Sequence, residues 1–480
     1  MINSIKNENQ LLIQIGREDV YWNYAATFLK IASSALLLPF ILRMMSSEMV
    51  GIWVVFMTIT AFATLLDFGF SGSFTRNITY VFSGVGKLKK EGFEKITIKN
   101  QEVDFSLLRG VIYSMKWFYL RMSIVLFIIL ITIGTYYISN LLKNYSGETQ
   151  NVYISWIILC VISTYNLYTL YYDSLLQGKG LVKRSKQIVI VGQTFYLLTA
   201  TILIINGYDL IAIVSAQALS VIVIRWLSYH SFFTPEIRQK LDAEIPKSQN
   251  EILKAITPNA IKIGLTSLGS FMVTRSAIVI GSLHLTLNEI ASYGITMQLI
   301  GVIAGLATIY TKTFQPSIAQ LQVINNKEAI KQIYLTGQII LLVTFILGGI
   351  GLLVMEGWAI EFIGSKTKLM PTILIIVATI ISFLENNHAV AGGILLTENK
   401  VPFFKASLFS GGLTILLMIL IFQFTNLGLW AMILSPGIAQ GLYQNWKWPI
   451  EVIKDLNITT KDFAYSLNIF NKAILFIIRK

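Results

Sequence analysis

Long apolar stretches follow one another almost end to end along this chain. Each is about 20 residues long, the length an α-helix needs to cross roughly 30 Å of hydrocarbon. Only 13% of the 480 residues are charged, whereas a soluble domain has about 25%. We therefore predict an all-α polytopic membrane protein of about twelve transmembrane helices. The predicted spans are residues 22–44, 50–72, 118–139, 152–172, 188–206, 210–230, 258–283, 290–311, 335–355, 371–396, 404–425 and 428–446.

The basic residues are distributed unevenly between the two sides of these spans. If the N-terminus is cytoplasmic, most of the 38 Lys and Arg residues fall on the inner side. The outer side then holds only Arg43, Lys143, Lys366 and Lys368. By the positive-inside rule, this bias predicts that both termini are cytoplasmic. A net charge of +13 also occurs in nucleic-acid binders, but here the basic residues lie between apolar runs, so no nucleic-acid partner is expected.

Two long inner loops suggest the domain organisation. Residues 231–257 are polar and divide the chain nearly in half, so they are the predicted linker between a six-helix bundle at 1–230 and a second at 258–449. Residues 84–117 form the other loop, whose apolar and basic positions predict an amphipathic segment at the cytoplasmic headgroup boundary. The apolar part of the tail at 450–480 is short and interrupted, which predicts a cytoplasmic or interfacial helix.

The first and seventh predicted spans resemble each other. Four residues recur at one constant spacing: Lys30, Ile31, Leu36 and Arg43 correspond to Lys262, Ile263, Leu268 and Arg275. Beyond these spans, SSEMVGIW at 46–53 and TLNEIASYG at 286–294 share a Glu followed by an apolar pair. Related halves are common in transporters, with the substrate site at their interface. We expect two pseudo-symmetric six-helix bundles that form a V around a central cavity.

The candidate substrate-binding residues form a basic quartet: Lys30, Arg43, Lys262 and Arg275. A charge at the centre of a spanning helix costs roughly 2.5 to 3.5 kcal/mol on insertion scales, so it usually faces a partner or a hydrated cavity. This predicts a cationic cavity. Under the alternative interpretation, Lys30 and Lys262 extend to the inner headgroups and Arg43 lies at the outer interface.

Three titratable residues in the spans are candidates for ion coupling. Asp67 at the inner end of the second span is either a coupling carboxylate or a helix-end carboxylate paired with a nearby base. Glu385 and His388 share a helix face because they are three residues apart. Their spacing suits a titratable relay, and equally a hydrogen-bonded kink that includes Asn386 and Asn387.

Several chemistries are disfavoured by the sequence. The lone cysteine, Cys160, lies in an apolar run and allows no internal disulfide or cysteine metal site. No GxxxxGK[ST] loop is present, so transport driven by the chain's own ATP hydrolysis is not expected. Gly301 and Gly305 form a small-xxx-small pair that predicts close helix packing. We expect no enzyme activity, no cofactor and no bound metal.

The N-terminal third resembles the bacterial O-antigen and capsular polysaccharide flippases of the multidrug, oligosaccharidyl-lipid and polysaccharide exporter superfamily. The resemblance lies in LLPFILRMMSSEMVGIW at 37–53, LLDFGFSGSFTRNITYVFSG at 65–84 and KLKKEG at 87–92. It implies a multi-pass protein of the bacterial inner membrane that flips an undecaprenyl-pyrophosphate-linked oligosaccharide from the inner to the outer leaflet by alternating access. Such a role belongs to lipopolysaccharide or capsule synthesis. It implies membrane lipids, a polysaccharide polymerase and other assembly proteins as partners.

Other functions remain open at this stage. An ion-coupled multidrug exporter of the same superfamily is the main alternative, although a cationic drug would favour acidic rather than basic groups in the spans. A polysaccharide polymerase or ligase would need an outer-face site, and the predicted outer loops are short. A pyrophosphate is well bound by Arg and Lys donors, so the basic quartet favours the flippase.

Overall fold

The computed structural model describes residues 17–86, 88, 103–323, 326–397 and 402–462, and their regular structure is helical throughout. The first half of the chain contains ten α-helices in the described ranges. These are α1 (Arg17–Met44), α2 (Ser47–Leu65), α3 (Phe70–Phe82), α4 (Phe105–Ile129), α5 (Thr135–Leu141), α6 (Thr149–Tyr168), α7 (Tyr171–Gly178), α8 (Val182–Ile205), α9 (Asp209–Phe232) and α10 (Pro235–Ala243). A π-helical turn, Leu130–Gly134, joins α4 to α5.

The second half of the chain contains eight α-helices in its described ranges. These are α11 (Gln249–Thr274), α12 (Ser276–Gly281), α13 (Leu287–Val323), α14 (Lys327–Ile363), α15 (Thr372–Leu396), α16 (Phe404–Phe424), α17 (Leu429–Gly441) and α18 (Gln444–Asp455).

The lengths and apolar composition of these helices confirm a polytopic all-α membrane protein. In the described residues, eight helical segments are long and apolar enough to cross a membrane, and they coincide with eight of the predicted spans. The other four predicted spans correspond to α1, α2 with α3, α11 with α12, and α17 with α18. These four either contain charged residues or are broken into two helices. They include both members of the predicted repeat pair.

The chain divides into two compact units. The first unit contains Phe40 and the described residues before it, together with Ile59–Ser267. The second contains Ile41–Thr58, together with Leu268 and the described residues after it. Compared with the predicted halves, Ile41–Thr58 therefore groups with the second unit, and residues 258–267 group with the first.

Helix pairs and an aromatic cluster form the core of the first unit. Helix α8 packs along α9, α3 packs on α7, and α6 contacts both α4 and α9. Phe70 stacks on Phe118 with ring centroids 3.9 Å apart, and Tyr119 lies beside Tyr171. Burying such large rings, each with an area of 150 Å² or more, contributes much of the packing energy. The cluster fixes α3, α4 and α7 around the buried polar groups described below.

The second unit is built on the pairs α13 with α14, α16 with α17, and α15 with α18. Helices α2 and α13 both begin at a hydroxyl cap. The Ser46 hydroxyl accepts from the Met49 N–H at 3.2 Å, and the Thr286 hydroxyl accepts from the Glu289 N–H at 3.3 Å. Glu289 in turn accepts from the Thr286 N–H at 2.9 Å, which completes a capping box. The two related motifs of the sequence thus mark corresponding helix starts.

The inner loop at 84–117 differs from its prediction over part of its length. Helix α4 begins at Phe105, where the Asp104 carboxylate caps it by accepting from the Leu107 N–H at 2.8 Å. Residues 105–117 are therefore the first turns of a helical segment that runs from Phe105 to Leu141. The apolar and basic pattern has helical period, and a good N-cap starts the helix there rather than at the predicted span boundary. Most of KLKKEG and the tail from 463 onward lie outside the described residues.

Candidate functional site

Arg43 lies in the last turn of α1 and its side chain is exposed. Lys366 packs against the same helix end. Its backbone N–H donates to the Leu42 carbonyl at 2.9 Å, and its ammonium donates to the Met44 carbonyl at 3.0 Å. A cation is favourable at a helix C-terminus because the last carbonyls carry partial negative charge. The end of α1, within the second unit, thus carries Arg43 in its last turn and binds the Lys366 ammonium through a backbone carbonyl.

Arg275 lies at the break between α11 and α12, also in the second unit. Its backbone leaves helical geometry, with φ −120° and ψ −22°, and its N–H donates to the Phe271 carbonyl at 2.8 Å. The side chain is exposed. Within the described residues, neither Arg275 nor Arg43 forms an ion pair with a carboxylate. Both guanidinium groups are thus available to an anionic ligand.

Lys30 lies in α1 and Lys262 lies in α11, as the sequence predicts. The side chains of these two lysines fall outside the described part of the structure. Their role in substrate binding stays a prediction.

Glu385 lies in the middle of α15 and ends a chain of buried hydrogen bonds. The Gln440 amide donates to Glu385 Oε1 at 3.0 Å, and the Gln444 amide donates to Gln440 Oε1 at 3.1 Å. The indole N–H of Trp448 points to Gln444 Oε1 at 3.5 Å. Both glutamines and Trp448 are buried. This polar chain links the middle of α15 to the junction of α17 and α18.

His388 has a different partner from Glu385. Its Nδ1 lies 2.8 Å from the Asn445 side-chain oxygen, while Asn386 donates to the Ser382 carbonyl at 2.8 Å. Helix α15 runs unbroken through this segment. His388 is thus bonded to a neighbouring helix and Asn386 to its own preceding turn, and both the relay and the kink stay predictions.

Glu385 and Arg275 both belong to the second unit, with Glu385 on α15 and Arg275 between α11 and α12. One predicted coupling residue and one predicted substrate-binding residue thus share a unit. The oxygen Glu385 Oε2 has no hydrogen-bond donor in the described part of the chain, so this carboxyl keeps one oxygen free for a proton or a cation.

Asp67 lies in the first unit, in the turn between α2 and α3. It is 8% exposed, and it accepts from the Tyr119 hydroxyl at 2.6 Å and from the Ser71 N–H and hydroxyl at 3.0 and 2.8 Å. The turn requires left-handed backbone at Phe68 (φ 46°) and Gly69 (φ 70°). The partners of Asp67 are thus hydroxyl and backbone donors rather than the expected base. A buried carboxylate satisfied in this way holds a helix start in place.

A buried ion pair in the first unit was missed by the sequence analysis. The Arg225 guanidinium donates to Asp173 at 2.9 Å and to the Asn166 side-chain oxygen at 2.7 Å. Arg225 is 5% exposed, and its Nε has no hydrogen-bond partner. Arg225 lies inside α9. The available signal was the seven-residue spacing of Asn166 and Asp173, which in a continuous helix places both on one face two turns apart.

A small cavity of about 40 Å³ adjoins this ion pair. Asn166, Ser163 and Gln217 line it, and the buried Ser163 hydroxyl has no partner in the structure. A buried water needs about 10 to 15 Å³ and two or more polar partners, so the cavity has room for a few waters. In the described ranges, no three His, Cys, Asp or Glu side chains come together in a way that could hold a metal ion.

Comparison with known proteins is informative at the level of fold. No family model matches the sequence, and no curated protein matches it. A multidrug resistance MATE family transporter of the MOP superfamily, in its inward-facing conformation, superposes with a TM-score of 0.63 at 15% identity and covers 91% of this chain and 96% of its own. The lipid II flippase MurJ gives 0.61 at 13% identity, covering 96% and 92%.

A third structure is a MOP superfamily transporter from Pyrococcus furiosus. It gives a TM-score of 0.53 at 15% identity and covers 95% of this chain and all of its own. For that transporter, the reverse polarity of the binding pocket suggests a different function. This chain therefore has the fold of MATE and MurJ transporters over nearly its whole length.

Proposed function

We propose that this protein flips an undecaprenyl-pyrophosphate-linked oligosaccharide from the inner to the outer leaflet of the bacterial cytoplasmic membrane. Its fold is shared with transporters that include the lipid II flippase MurJ, which supports a transport role. The resemblance of residues 37–53 and 65–84 to O-antigen and capsular polysaccharide flippases supports the lipid-linked glycan. The distribution of Lys and Arg supports cytoplasmic termini.

The observation that carries the proposal is the state of the arginines. Arg225 is buried and paired with Asp173, as a charge in a protein interior must be. Arg43 and Arg275 are exposed and lack acidic partners among the described residues. A guanidinium binds a phosphate through two parallel hydrogen bonds, which a pyrophosphate headgroup can supply. The two unpaired arginines therefore suit an anionic lipid better than a cationic drug.

The alternative is an ion-coupled multidrug exporter, since MATE transporters share this fold. One observation favours it: the free Oε2 oxygen of Glu385 would attract a cation. Polarity of the binding pocket is named as a mark of different function in the Pyrococcus furiosus transporter. The sign of charge that this protein binds therefore separates the two functions.

The test is reconstitution of the purified protein in liposomes with a fluorescent undecaprenyl-pyrophosphate oligosaccharide in one leaflet. Movement is measured by the loss of accessibility to a membrane-impermeant quencher. We expect Arg43→Ala and Arg275→Ala each to slow flipping by about tenfold or more, since a charge-assisted hydrogen bond contributes roughly 1.5 to 3 kcal/mol. Lysine at either position restores part of the rate, because it keeps the charge but not the bidentate geometry.

Lys368→Ala is the matched control, since it removes an exposed positive charge from an outer loop of the same unit. It should leave flipping unchanged. The proposal fails if both arginine variants flip at the normal rate. Competition assays add a second criterion: inhibition by cationic but not anionic amphiphiles would favour the exporter.

A further inference from the structure

Helix α4 carries an exposed basic and aromatic face that has no role in the site above. The Arg121 guanidinium lies over the Trp117 ring, 3.8 Å from its centroid. Lys116 and Arg121 are both exposed, as are Tyr113 at 49% and Trp117 at 39%. Leu120 and Ile124 continue the face at 47% and 50% exposure. We define Tyr113, Lys116, Trp117, Leu120, Arg121 and Ile124 as the α4 face.

The cations of the α4 face differ from their neighbours in having no hydrogen-bond or ion-pair partner among the described residues. Arg109, two to three turns earlier on the same helix, donates to the backbone carbonyls of Asp242 and Glu244 in the segment around α10. Lys247 nearby pairs with Asp104 at 2.6 Å. In the described residues, no carboxylate pairs with Lys116 or Arg121. Polar groups at the start of α4 are thus bonded to other parts of the protein, whereas Lys116 and Arg121 in the following turns have no such partner in the described residues.

The depth of this face follows from helix length. The helical segment from Phe105 to Leu141 has 37 residues and is about 55 Å long, whereas the hydrocarbon core is about 30 Å thick. The predicted span begins at residue 118, so Trp117 and Arg121 lie close to the boundary of the hydrocarbon. By the charge bias of the chain, that boundary is the cytoplasmic one. Tryptophan and tyrosine are enriched at this level of the bilayer.

The direction of the side chains specifies what they reach. Side chains of an α-helix lean toward its N-terminus, and the N-terminus of α4 is on the cytoplasmic side. Arg121 lies over Trp117, one turn nearer that end, so its guanidinium extends toward the inner headgroups. Leu120 and Ile124 offer apolar surface just below, where acyl chains begin. The face therefore presents positive charge at the level of lipid phosphates and apolar side chains at the level of their tails.

We propose that the α4 face is a binding site for an anionic phospholipid of the inner leaflet, with Lys116 and Arg121 contacting its phosphate. The Trp117 ring holds the Arg121 guanidinium in place by a cation–π contact. The N–H groups at the edge of the guanidinium can then donate to the phosphate. Charge complementarity selects the ligand, since the inner leaflet of a bacterial membrane offers anionic headgroups and basic clusters next to spanning helices attract them. The site is separate from Arg43 and Arg275, so it does not depend on the proposed substrate.

The test measures lipids retained by the purified full-length protein in native mass spectrometry. The probes are phosphatidylglycerol and phosphatidylcholine at equal concentrations. We expect tight retention of one phosphatidylglycerol by the wild type and about thirtyfold weaker retention by the Lys116→Ala/Arg121→Ala double variant, since each of the two basic residues near the surface contributes about 1 kcal/mol. The control is Lys312→Ala/Lys405→Ala, which removes two exposed basic residues from the second unit and should change nothing at this site.

Two outcomes would overturn the proposal. One is undiminished phosphatidylglycerol retention by the double variant. The other is an equal loss of phosphatidylcholine, which would indicate general contact with the bilayer rather than a phosphate site. Arg121→Gln alone is the second variant, chosen because it keeps a polar side chain of similar length and disturbs folding least. Thermal unfolding verifies that each variant is folded, and excess inorganic phosphate should fail to displace the lipid.

Discussion

Single residues in the first unit illustrate how this protein buries charge. Asp67 is satisfied by three neutral donors from Ser71 and Tyr119. Arg225 is paired with Asp173 and Asn166. The two members of the ion pair differ in environment, since the Arg225 side chain is 5% exposed and that of Asp173 is 32% exposed. The protein therefore encloses the guanidinium more completely than the carboxylate.

This difference predicts unequal effects of breaking the pair. Asp173→Ala leaves a buried, unpaired guanidinium and should lower the free energy of unfolding by about 3 kcal/mol. Arg225→Met leaves a carboxylate that water partly solvates, so the loss should be nearer about 1 kcal/mol. Unfolding in mixed micelles with increasing SDS measures both values.

The double variant Asp173→Ala/Arg225→Met serves as the control for this comparison. It should be more stable than Asp173→Ala alone, because no unpaired charge remains in the interior. A larger loss of unfolding free energy for Arg225→Met than for Asp173→Ala would contradict this prediction. It would show that the carboxylate, rather than the guanidinium, is the member of the pair that depends more on its partner.

Among the elements, the spans that lack breaks could be predicted closely from the sequence. The predicted span 404–425 is α16, Phe404–Phe424, and the predicted span 371–396 is α15, Thr372–Leu396. In both, an uninterrupted apolar run sets the length of the helix. The second predicted span instead ends at Leu65, because the left-handed residues Phe68 and Gly69 turn the chain. Hydropathy contains no information on such a turn.

Helix contacts were less predictable than helix lengths. A Cβ on Gly301 would meet no atom within 4 Å, so the predicted close packing at this residue is wrong. In the second unit, α2 approaches α13 at Gly51 and Gly294 instead. A Cβ on Gly51 would lie 2.3 Å from the Leu287 carbonyl oxygen, and one on Gly294 would lie 2.4 Å from the Val54 side chain. A small-xxx-small pattern shows which helix faces are small, but not which of them meets a neighbour.

The two glycines predict opposite effects of the same substitution. Gly51→Ala forces the backbone of Leu287 to move and should destabilise the protein by about 1 to 3 kcal/mol. Gly301→Ala adds a methyl group in open space within a helix and should stabilise it by about 0.5 to 1 kcal/mol, since alanine loses less backbone entropy. Thermal unfolding in one detergent compares the two. Equal behaviour of both variants would contradict the proposed contact of α2 with α13.

At the scale of the whole molecule, an all-α membrane fold and a similarity to transporters could both be predicted from the sequence. Spans and charge bias are properties of the chain alone, so they could be derived without coordinates. The residues of the candidate site were predictable only in part. Arg275 and Glu385 stood out as charges within spans, whereas Gln440, which donates to Glu385, has no sequence signal that distinguishes it from ordinary polar residues in a helix.

We expect the opposite charges of Arg275 and Glu385, both in the second unit, to couple two events in the proposed transport cycle. A carboxylate near Arg275 opposes binding of an anion there, and protonation of Glu385 removes that opposition. By linkage, the anionic headgroup and the proton favour each other's binding by the same factor, typically about fivefold or more. Two other charged groups on helices packed against α15 are engaged elsewhere: Glu356 of α14 accepts from Thr372, and Lys447 of α18 pairs with Glu451.

We therefore expect undecaprenyl pyrophosphate to bind the purified protein more tightly at pH 6 than at pH 8. Glu385→Gln, which resembles the protonated state, should bind tightly at both pH values, as measured by microscale thermophoresis. Glu356→Gln is the matched control and should keep the normal pH dependence. His388 is a second titratable side chain on α15, one turn from Glu385, so the His388→Gln variant is measured as well. If Glu385→Gln keeps the pH dependence and His388→Gln abolishes it, the histidine rather than the carboxylate couples protons to binding of the anionic lipid.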